Sequence, residues 1–470
     1  MHVVMFADQH LESLGGAQVS MRLQKRFLER AGHVVTVVAP RLHRPASDDP
    51  AYLDLPSIAI TPDREYALTW PGARTDRFLD AEMGARLPAD VVHVQADFWG
   101  AFIGHRFAAR HGLPVVHTMH NRVDVGIEAT APFPSLVLRV LNAWARRALP
   151  SPAVRRAVRH GGGPSRDAHD DPRAARDSAT SEATVADGPS VATPRAARRS
   201  GVPAQDAGEA PRDPRDSTSS DGSTPLVPAS RVDGWAFLHR LARLSRAVTA
   251  PSAHFARRLE RHGVAPSVDV IWNGIDDDVL DAALAFGSSA RRPGLARFVW
   301  LGRMSPEKRL LPFLEAVVAS GIDAEVEVIG GGAQLTAAQR LVERERPTAA
   351  VVFSGRLPHA ETLARLADAD AVVQTSIGFE TQGMTVFEAA SLGTPAVVTD
   401  PDIAAELGGG TWSVADATVP ALAEALRRAA ADIAAGSPVR AEPSIAERFR
   451  QSSRTAAMVA VYERVIRSGR

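Results

Sequence analysis

Short, unbroken apolar runs recur along the chain, and segments with helical spacing separate them. His2–Ala7 is the first such run, Ala17–Ala31 has apolar positions at helical spacing, and Val34–Ala39 is again almost wholly apolar. A strand that is buried on both faces is apolar throughout, whereas an amphipathic helix repeats its apolar positions about every 3.6 residues. The pattern therefore predicts a β-α-β unit at the start of the chain.

The same alternation continues to the end of the chain with one interruption. In the first half it predicts strands at Val91–Gln95 and Val115–Thr118. In the second half it predicts strands at Val268–Trp272, at Phe298–Leu301 and in the runs EVEVIGGG, AVVFSG, AVVQTS and PAVVT. Parallel strands joined by helices of this length form doubly wound sheets, so we predict an α/β fold of two Rossmann-like domains that face each other across a cleft.

The interruption lacks the residues that build a core. From Ser151 to Val232 there is no Phe, Trp, Tyr, Ile or Met, and Leu226 is the single leucine. A segment that cannot bury enough apolar surface to offset chain entropy is expected to be disordered. The predicted organisation is an N-terminal domain at 1–149 plus 233–250, a disordered insertion at 150–232, a C-terminal domain at 251–450, and a C-terminal helix at 451–470 that packs back on the N-terminal domain.

Composition narrows the class of protein. Lys+Arg and Asp+Glu both number 54 among the 470 residues, so no overall basic field suggests nucleic acid. Cysteine is absent, which excludes disulfides and thiolate metal sites and fits a cytoplasmic location. The chain has no apolar run of about 18 residues and no signal-peptide pattern at its start, so membrane contact is expected to be peripheral.

Candidate chemistry is concentrated in Gly378–Pro395, which follows a predicted strand. This stretch carries Glu380 in a glycine-bracketed loop and Glu388 in a helix that is predicted to begin near Met384. In open α/β sheets this edge binds ligands, and a helix amino end offers N–H groups to phosphate. Alternatively, Thr385 and Glu388 form a T-x-x-E capping box, in which case Glu388 caps its own helix.

A second candidate site lies after the strand at Phe298–Leu301. Ser305 and Pro306 are typical of a helix start, which places Arg303 and Lys308 beside the amino end of that helix. Cations there oppose the helix dipole unless an anion lies between them. The pair therefore indicates a phosphate site, with solvated loop charges as the alternative. Phosphate-binding cations near two carboxylates that accept hydroxyl hydrogen bonds indicate a nucleotide sugar as the ligand.

Two features of the first half are weaker indications. Gly15 and Gly16 precede the first helix and allow a ligand to approach the backbone closely, although they could equally make a tight turn. His120 follows the strand at Val115–Thr118, where site residues gather, although a single loop histidine is more often a surface or hydrogen-bonded residue.

Two helices combine apolar and basic residues. Pro134–Leu149 and Trp235–Arg246 each carry several large apolar side chains and three arginines. Helices of this kind lie in anionic membrane interfaces, but the commoner explanation is a surface helix that packs its apolar side on the sheet.

The motifs, taken in chain order, resemble those of the family 4 retaining glycosyltransferases, which have the GT-B fold. The resemblance rests on LGGAQ, HTMHN, TAPSAHF, IWNGID, LGRMSPEK, VIGGG, FSGRL and FETQGMTVFE, and it covers almost all of the chain outside 151–232. The chain departs from the family at Trp272, where proline is frequent, and in its long insertion.

The resemblance implies roles for individual residues. Arg303 and Lys308 would bind the donor diphosphate. Glu380 would contact the transferred sugar, and Glu388 would hold the nucleotide ribose. His120 would lie near the reacting centre. The remaining donor-binding positions implied are Gly16, Gly383, Met384 and Thr385.

The resemblance also implies a chemistry without a cofactor or metal. The acceptor hydroxyl is expected to attack from the side of the leaving group, so no glycosidase-type carboxylate pair is required. The acidic run Asp276–Asp278 follows NGI in a position where the family has a structural turn, and it is therefore not expected to bind a metal.

The wording ETQGMTVFEA, and DFWG followed by HTMH, is similar to the bacterial branch that glycosylates membrane lipids, such as diacylglycerol glucosyltransferases and phosphatidylinositol mannosyltransferases. We therefore expect transfer of a hexose from UDP-glucose, or next from GDP-mannose, to a lipid hydroxyl at an anionic membrane surface. The alternatives are a soluble family member with a small sugar or sugar-phosphate acceptor and a non-catalytic nucleotide-sugar-binding relative. A nicotinamide-dependent oxidoreductase would need a glycine fingerprint that the first loop lacks.

Overall fold

The computed structural model describes residues 1–13, 16–44, 48–61, 64–123, 133–149, 234–286 and 295–468. The predicted insertion at 150–232 and Gly15 lie outside these ranges, as do the ends of several loops.

Within the described residues, the first domain is built on a seven-stranded parallel sheet. Its strands are β1 (His2–Ala7), β2 (Val34–Pro40), β3 (Tyr52–Leu55), β6 (Val91–Gln95), β7 (Val115–Thr118), β8 (Ala247–Ala250) and β9 (Asp269–Val270), in the spatial order β3-β2-β1-β6-β7-β8-β9. A small antiparallel pair, β4 (Ile58–Ala59) and β5 (Ala67–Leu68), lies outside the sheet. Every residue of β1, β6 and β7 is buried, because helices cover both faces of the sheet.

The described helices of this domain connect consecutive strands. They are α1 (Gly16–Arg30), α2 (Ala73–Gly84), α3 (Trp99–His111), α4 (Pro134–Ala148), α5 (Gly234–Ala242) and α6 (Ala253–Arg261). The bounds of α1 and β2 agree to within one residue with the helix predicted at Ala17–Ala31 and the strand predicted at Val34–Ala39. Helical spacing and an unbroken apolar run are sufficient to predict these two elements.

The second domain repeats the design with a six-stranded parallel sheet among the described residues. Its strands are β10 (Ala296–Arg303), β11 (Ala324–Gly331), β12 (Ala350–Gly355), β13 (Ala371–Gln374), β14 (Ala396–Val398) and β15 (Thr411–Ser413), in the order β12-β11-β10-β13-β14-β15. The described helices that follow are α7 (Asp277–Phe286), α8 (Leu310–Ser320), α9 (Leu335–Glu345), α10 (His359–Asp368), α11 (Met384–Ser391), α12 (Pro401–Leu407), α13 (Val419–Ala434), α14 (Ser444–Phe449) and α15 (Gln451–Arg467). Two doubly wound sheets confirm the predicted fold class.

The first sheet extends beyond the boundary predicted at residue 250. Strand β9 pairs in parallel with β8, and α6 between them places Phe255 and Leu259 in the core of the first domain. The sequence alternation runs without a break across this point, so it carries no signal of which sheet a strand joins. Hydrogen-bond pairing places the change of domain after Val270 instead.

The last helix, α15, lies on the first domain although it follows the second in sequence. Met458, Val461, Tyr462 and Val465 belong to the same buried cluster as residues of β1. Arg464 also forms an ion pair with Asp269 of β9. The chain therefore ends its helical part against the sheet with which it began.

The two basic helices differ in their environment. In α5 the apolar side is buried in the core, with Phe237, Leu238 and Leu241 at most 1% exposed, so this helix offers no apolar face to a membrane. It also ends at Ala242 and not at Arg246. In α4, by contrast, Leu136 and Val140 are more than half exposed. Among the described helices, none has the length and apolar character that crossing a bilayer requires.

Candidate functional site

The predicted site lies where the direction of the second sheet's connections reverses. In the spatial order, β10 and β13 are neighbours, while the connections from β10 and β13 lead to opposite edges of the sheet. The loops after these two strands therefore diverge and leave a crevice at their carboxyl ends. The loop after β10 carries Lys308, and the loop after β13 carries Glu380.

A pocket of about 300 Å³ occupies this crevice and is closed on its other side by the first domain. This volume is at the lower end of the range typical of small-molecule sites. The predicted residues that line it are Gly16, His120, Lys308, Glu380, Gly383, Met384 and Thr385. Of its described lining residues, two carry a formal charge, Lys308 and Glu380.

Lys308 and Glu380 form an ion pair inside the pocket. The Lys308 ammonium donates to Glu380 Oε1, and Ser376 Oγ donates to the same oxygen at 2.8 Å. The backbone is held as well, because Thr375 Oγ1 donates to the Lys308 carbonyl at 2.6 Å. Both side chains are partly exposed, at 24% for Lys308 and 17% for Glu380, so an anionic ligand can reach the ammonium group.

The amino end of α11 opens into the same pocket. Gly383 is its N-cap with φ 85°, and an added Cβ would meet Ile403 Cδ1 at 2.8 Å, so only glycine fits here without strain. The first N–H groups of a helix have no intrahelical acceptor, and those of Met384 and Thr385 are at this end. The alternative interpretation, a capping box of Thr385 and Glu388, is wrong because the N-cap is Gly383, two residues before Thr385.

Glu388 instead pairs with a residue that the sequence analysis missed. His359, the first residue of α10, forms a hydrogen bond of 2.9 Å from Nε2 to Glu388 Oε1. The hydrogen bond with Glu388 raises the pKa of His359 above its ordinary value, against the opposing effect of burial. Glu388 itself is 7% exposed and lies behind the pocket lining. A histidine just after a strand was the available signal, the same one that drew attention to His120.

Arg303 is not brought into the pocket lining. Its side chain is 65% exposed and donates to Glu307 Oε1 at 2.8 Å. Glu307 lies four residues after Arg303, in the turn that follows β10, and it supplies a carboxylate partner outside the pocket. The expected role of Arg303 in diphosphate binding therefore stays a prediction, whereas Lys308 already lies in the pocket.

The first domain contributes a wall of low charge. His120 lines the pocket, and its Nε2 lies 3.1 Å from Gln95 Oε1. Burial lowers the pKa of His120 to about 4, so its imidazole is neutral at physiological pH. Gly16 at the start of α1 has open space where a Cβ would be, which leaves its backbone accessible to a ligand.

Two buried carboxyl groups stand behind this wall. Asp8 accepts hydrogen bonds from backbone N–H groups at the start of α3, and burial raises its pKa to about 6. Asp97 accepts from Asn121 Nδ2 at 2.6 Å, and burial together with the charge of Asp8 raises its pKa to about 7. The raised pKa values mean that the pair carries less negative charge near neutral pH than two ordinary carboxylates would.

Asn273 connects the two domains beside the pocket. Its Oδ1 accepts from Ser20 Oγ of α1 at 2.7 Å, while its backbone N–H donates to Gln382 Oε1 at 2.9 Å. Gln382 also donates to the Asn273 carbonyl at 3.1 Å. The IWNGID motif therefore joins both walls of the pocket, a function that its sequence alone did not indicate.

The acidic run after this motif is taken up by partners from other elements. Asp276 pairs with Arg26, Asp278 pairs with Arg30 at 2.7 Å, and Asp277 accepts from Ser452. These contacts tie α7 to α1 and α15 and account for the acidic run.

Comparison with known proteins assigns the two parts of the chain separately. Residues 14–168 match the family model described as Glycosyltransferase Family 4, and residues 296–432 match the model described as Glycosyl transferases group 1. The first match continues past residue 150, where the insertion was predicted to begin. A curated relative, glycogen synthase of Mycobacterium tuberculosis, is 33% identical over 138 residues, which are 28% of this chain and 32% of the relative. The match thus spans about a third of the length of that relative.

Solved structures share the whole architecture. Sucrose-phosphate synthase from Thermosynechococcus elongatus superposes with a TM-score of 0.60 at 14% identity, over 99% of both chains. Anabaena HepE in complex with UDP-glucose has a TM-score of 0.55 at 14% identity, over 99% of this chain and 100% of the other. Identities this low establish the fold alone, so the similarity to glycosyltransferase families rests on the two family models. These models match the two domains in chain order, so the family matches and the fold together support a GT-B glycosyltransferase of the family 4/group 1 type.

Proposed function

We propose that this protein is a retaining glycosyltransferase that moves a hexose from a nucleoside diphosphate sugar to an acceptor hydroxyl group. The favoured donor is UDP-glucose, with GDP-mannose next, and the proposed acceptor is a membrane lipid. The observation that carries the proposal is the meeting of Lys308, Glu380 and the amino end of α11 in one pocket. The Anabaena structure with UDP-glucose supports a uridine donor.

The pocket provides what departure of a nucleoside diphosphate requires. Negative charge develops on the leaving phosphate, and the Lys308 ammonium with the N–H groups of Met384 and Thr385 would stabilise it. Binding the diphosphate would draw Lys308 from Glu380, which frees that carboxylate to accept hydrogen bonds from the sugar hydroxyls.

The proposed transfer needs no metal or cofactor. The acceptor oxygen would attack the anomeric carbon from the face that the diphosphate leaves, which retains the configuration. The bond from the anomeric carbon to the phosphate oxygen breaks, and a phosphate oxygen takes the acceptor proton. His120 would bind the sugar as a neutral hydrogen-bonding group.

Thermal stability measured with UDP, GDP and ADP tests the donor. A ligand that binds only the folded state stabilises it by about 2.7 kcal/mol at one hundred times its dissociation constant. We expect a rise in melting temperature with UDP and a smaller one or none with the other two nucleotides. A response to GDP alone would move the donor to GDP-mannose. If none of the three raises the melting temperature at millimolar concentration, the donor site is misassigned.

The acceptor proposal rests on the surface of α4. Leu136 and Val140 are 58% and 57% exposed, and Phe133 just before the helix is 70% exposed. Trp70 is 66% exposed and stacks on Trp144 with ring centroids 5.2 Å apart. The exposed arginines of α4, which accompany these apolar side chains, are Arg139, Arg146 and Arg147. Apolar side chains among arginines match an interface of anionic lipid head groups.

Flotation with anionic vesicles tests this surface. The double variant Leu136→Glu with Val140→Glu is expected to lower vesicle binding at least tenfold, since each apolar side chain that inserts contributes roughly 1.5 to 3 kcal/mol. Val352→Glu, at a valine that is 58% exposed on β12, is the matched control and should bind like the wild type. Wild-type protein that stays with the soluble fraction at low salt would contradict the lipid proposal and favour a soluble acceptor, as the name of the mycobacterial relative suggests.

A further inference from the structure

A buried chain of polar side chains leads from the pocket to the last helix. This hydrogen-bond network runs from His120 through Gln95 and Gln24 to Tyr462 of α15. From Tyr462 it continues through His93 to Thr118 and Thr249. Its interior members are at most 8% exposed, so their polar groups need hydrogen-bond partners inside the protein. Nothing in the sequence pattern links Tyr462 to the pocket, since Tyr462 and His120 lie in distant parts of the sequence.

The orientations of the Gln95 and Gln24 amides give this hydrogen-bond network one direction. Gln95 Nε2 donates to Gln24 Oε1 at 2.8 Å, and Gln24 Nε2 donates to Tyr462 Oη at 3.3 Å. The Tyr462 hydroxyl hydrogen is then available to His93 Nδ1, 2.7 Å away. With Nδ1 accepting, the proton of neutral His93 is on Nε2, which lies 2.7 Å from Thr118 Oγ1. Burial, reinforced by the neighbouring histidines, lowers the pKa of His93 well below its ordinary value, consistent with the neutral form.

At the pocket end of the network, the orientation of Gln95 determines the tautomer of His120. Because the Gln95 amide donates toward Gln24, its Oε1 faces His120 and can only accept. The proton of neutral His120 must therefore be on Nε2. Its Nδ1 then carries the lone pair, which makes this atom a hydrogen-bond acceptor for a hydroxyl group.

We propose that Tyr462 and Gln95 are positioning residues that hold His120 as the neutral Nε2–H tautomer, so that the C-terminal helix is part of the active site. The inference deepens the proposed function and rests on it for the role of His120 toward a sugar hydroxyl. The tautomer itself is independent of that role.

Tyr462→Phe is the variant that separates orientation from packing. It keeps the buried ring and removes only the hydroxyl group that accepts from Gln24. Without this acceptor, the Gln24 amide is expected to rotate and present its Nε2 to Gln95. The resulting repulsion acts against the contact of 3.4 Å between Gln95 Nε2 and His93 Nδ1. Rotation of the Gln95 amide would then let it donate to His120 Nε2 and favour the Nδ1–H tautomer. Val461→Ala is the matched control, because Val461 is 4% exposed on the same helix and makes no side-chain hydrogen bond.

Side-chain nitrogen NMR of the full chain reports tautomers directly, with His120→Gln and His93→Gln to assign the two signals. We expect His120 to be the neutral Nε2–H form from pH 8 to pH 5 in the wild type and in Val461→Ala, and a mixture of tautomers in Tyr462→Phe. Transfer by Tyr462→Phe should fall about tenfold in kcat, the equivalent of one hydrogen bond, with the donor KM unchanged.

The inference is overturned if wild-type His120 is protonated or in the Nδ1–H form at neutral pH, or if Tyr462→Phe leaves its signals unchanged. It is also overturned if Val461→Ala lowers kcat as much as Tyr462→Phe does. Failure of the wild type to bind any nucleotide overturns the proposed function instead, and the tautomer is then decided by the NMR signals alone.

Discussion

Lys308→Ala is expected to abolish the rise in melting temperature with nucleoside diphosphate and to slow sugar transfer by roughly 10²- to 10³-fold, the cost of removing one group that stabilises charge in a transition state. Lys308 is the cation among the described residues that line the pocket. The loss should appear in both the donor KM and kcat, because Lys308 would bind the diphosphate of the donor and the negative charge on that group increases further in the transition state. Melting curves with and without UDP, together with initial rates of transfer, measure both effects.

The stability of the unliganded protein should change little in this variant. The Lys308–Glu380 pair is partly exposed, and Glu380 keeps its hydrogen bond from Ser376 when the lysine is removed. Pairs of this kind contribute about 0 to 1 kcal/mol. Binding and folding can therefore be measured apart from each other.

Arg344→Ala is the matched control, since it removes one positive charge from the same domain. Arg344 is 69% exposed on α9 and pairs with Glu345. This variant should respond to UDP like the wild type. An equal loss in both variants would attribute binding to net charge, and a normal UDP response in Lys308→Ala would contradict the assignment of the diphosphate site.

The largest loss of stability is expected for Glu406→Ala. Glu406 belongs to α12 of the second domain, yet it accepts hydrogen bonds from the N–H groups of Ala253 and His254 at the start of α6, at 2.7 and 3.0 Å. Trp272 Nε1 donates to the same carboxylate at 2.9 Å, a donor that the proline frequent in the family would lack. The side chain is 3% exposed, so its removal leaves several donors buried without an acceptor.

Breaking a buried charged network of this kind costs about 3 to 5 kcal/mol. Denaturant unfolding should show a lower midpoint for Glu406→Ala and an intermediate one for Glu406→Gln, which keeps the shape of the side chain without its charge. Glu424→Ala removes a carboxylate that is 57% exposed on α13 and should change the free energy of unfolding by less than about 0.5 kcal/mol. A midpoint for Glu406→Ala equal to that of this control would contradict the proposed link between the domains.

The same carboxylate gives a pH dependence with a definite sign. Burial alone would raise the pKa of Glu406, but hydrogen bonds from His254, Ala253 and Trp272 outweigh it and lower the pKa from 4.5 to about 2. A carboxylate whose pKa is lower in the folded state stabilises the fold fully at pH values above its unfolded-state pKa. This stabilisation is lost as the pH falls through the folded-state pKa. The wild type should lose about 3 kcal/mol between pH 4.5 and pH 2 from this group, and Glu406→Gln should lack that part of the acid transition.

The sequence by itself determined the elements and their class. Strands such as Val91–Gln95 and Val115–Thr118 were predicted with their observed bounds, because burial on both faces leaves an unbroken apolar run. The loops after parallel strands gather at one edge of a sheet. For this reason the sequence alone predicts that Lys308, Glu380 and the start of α11 lie in one site, and all three line the pocket.

Only the tertiary structure decided how side chains are paired. Glu388 is held by His359, Arg303 turns to Glu307, and Tyr462 joins the chain that ends at His120. The pairings of Glu388 and Tyr462 join residues that are far apart in sequence, so no periodic pattern predicts them. Arg303 pairs with a neighbouring carboxylate instead of facing the expected ligand site. The sheet to which β9 belongs was likewise decided by its hydrogen bonds, since apolar alternation records that a strand is buried but not which strand lies beside it.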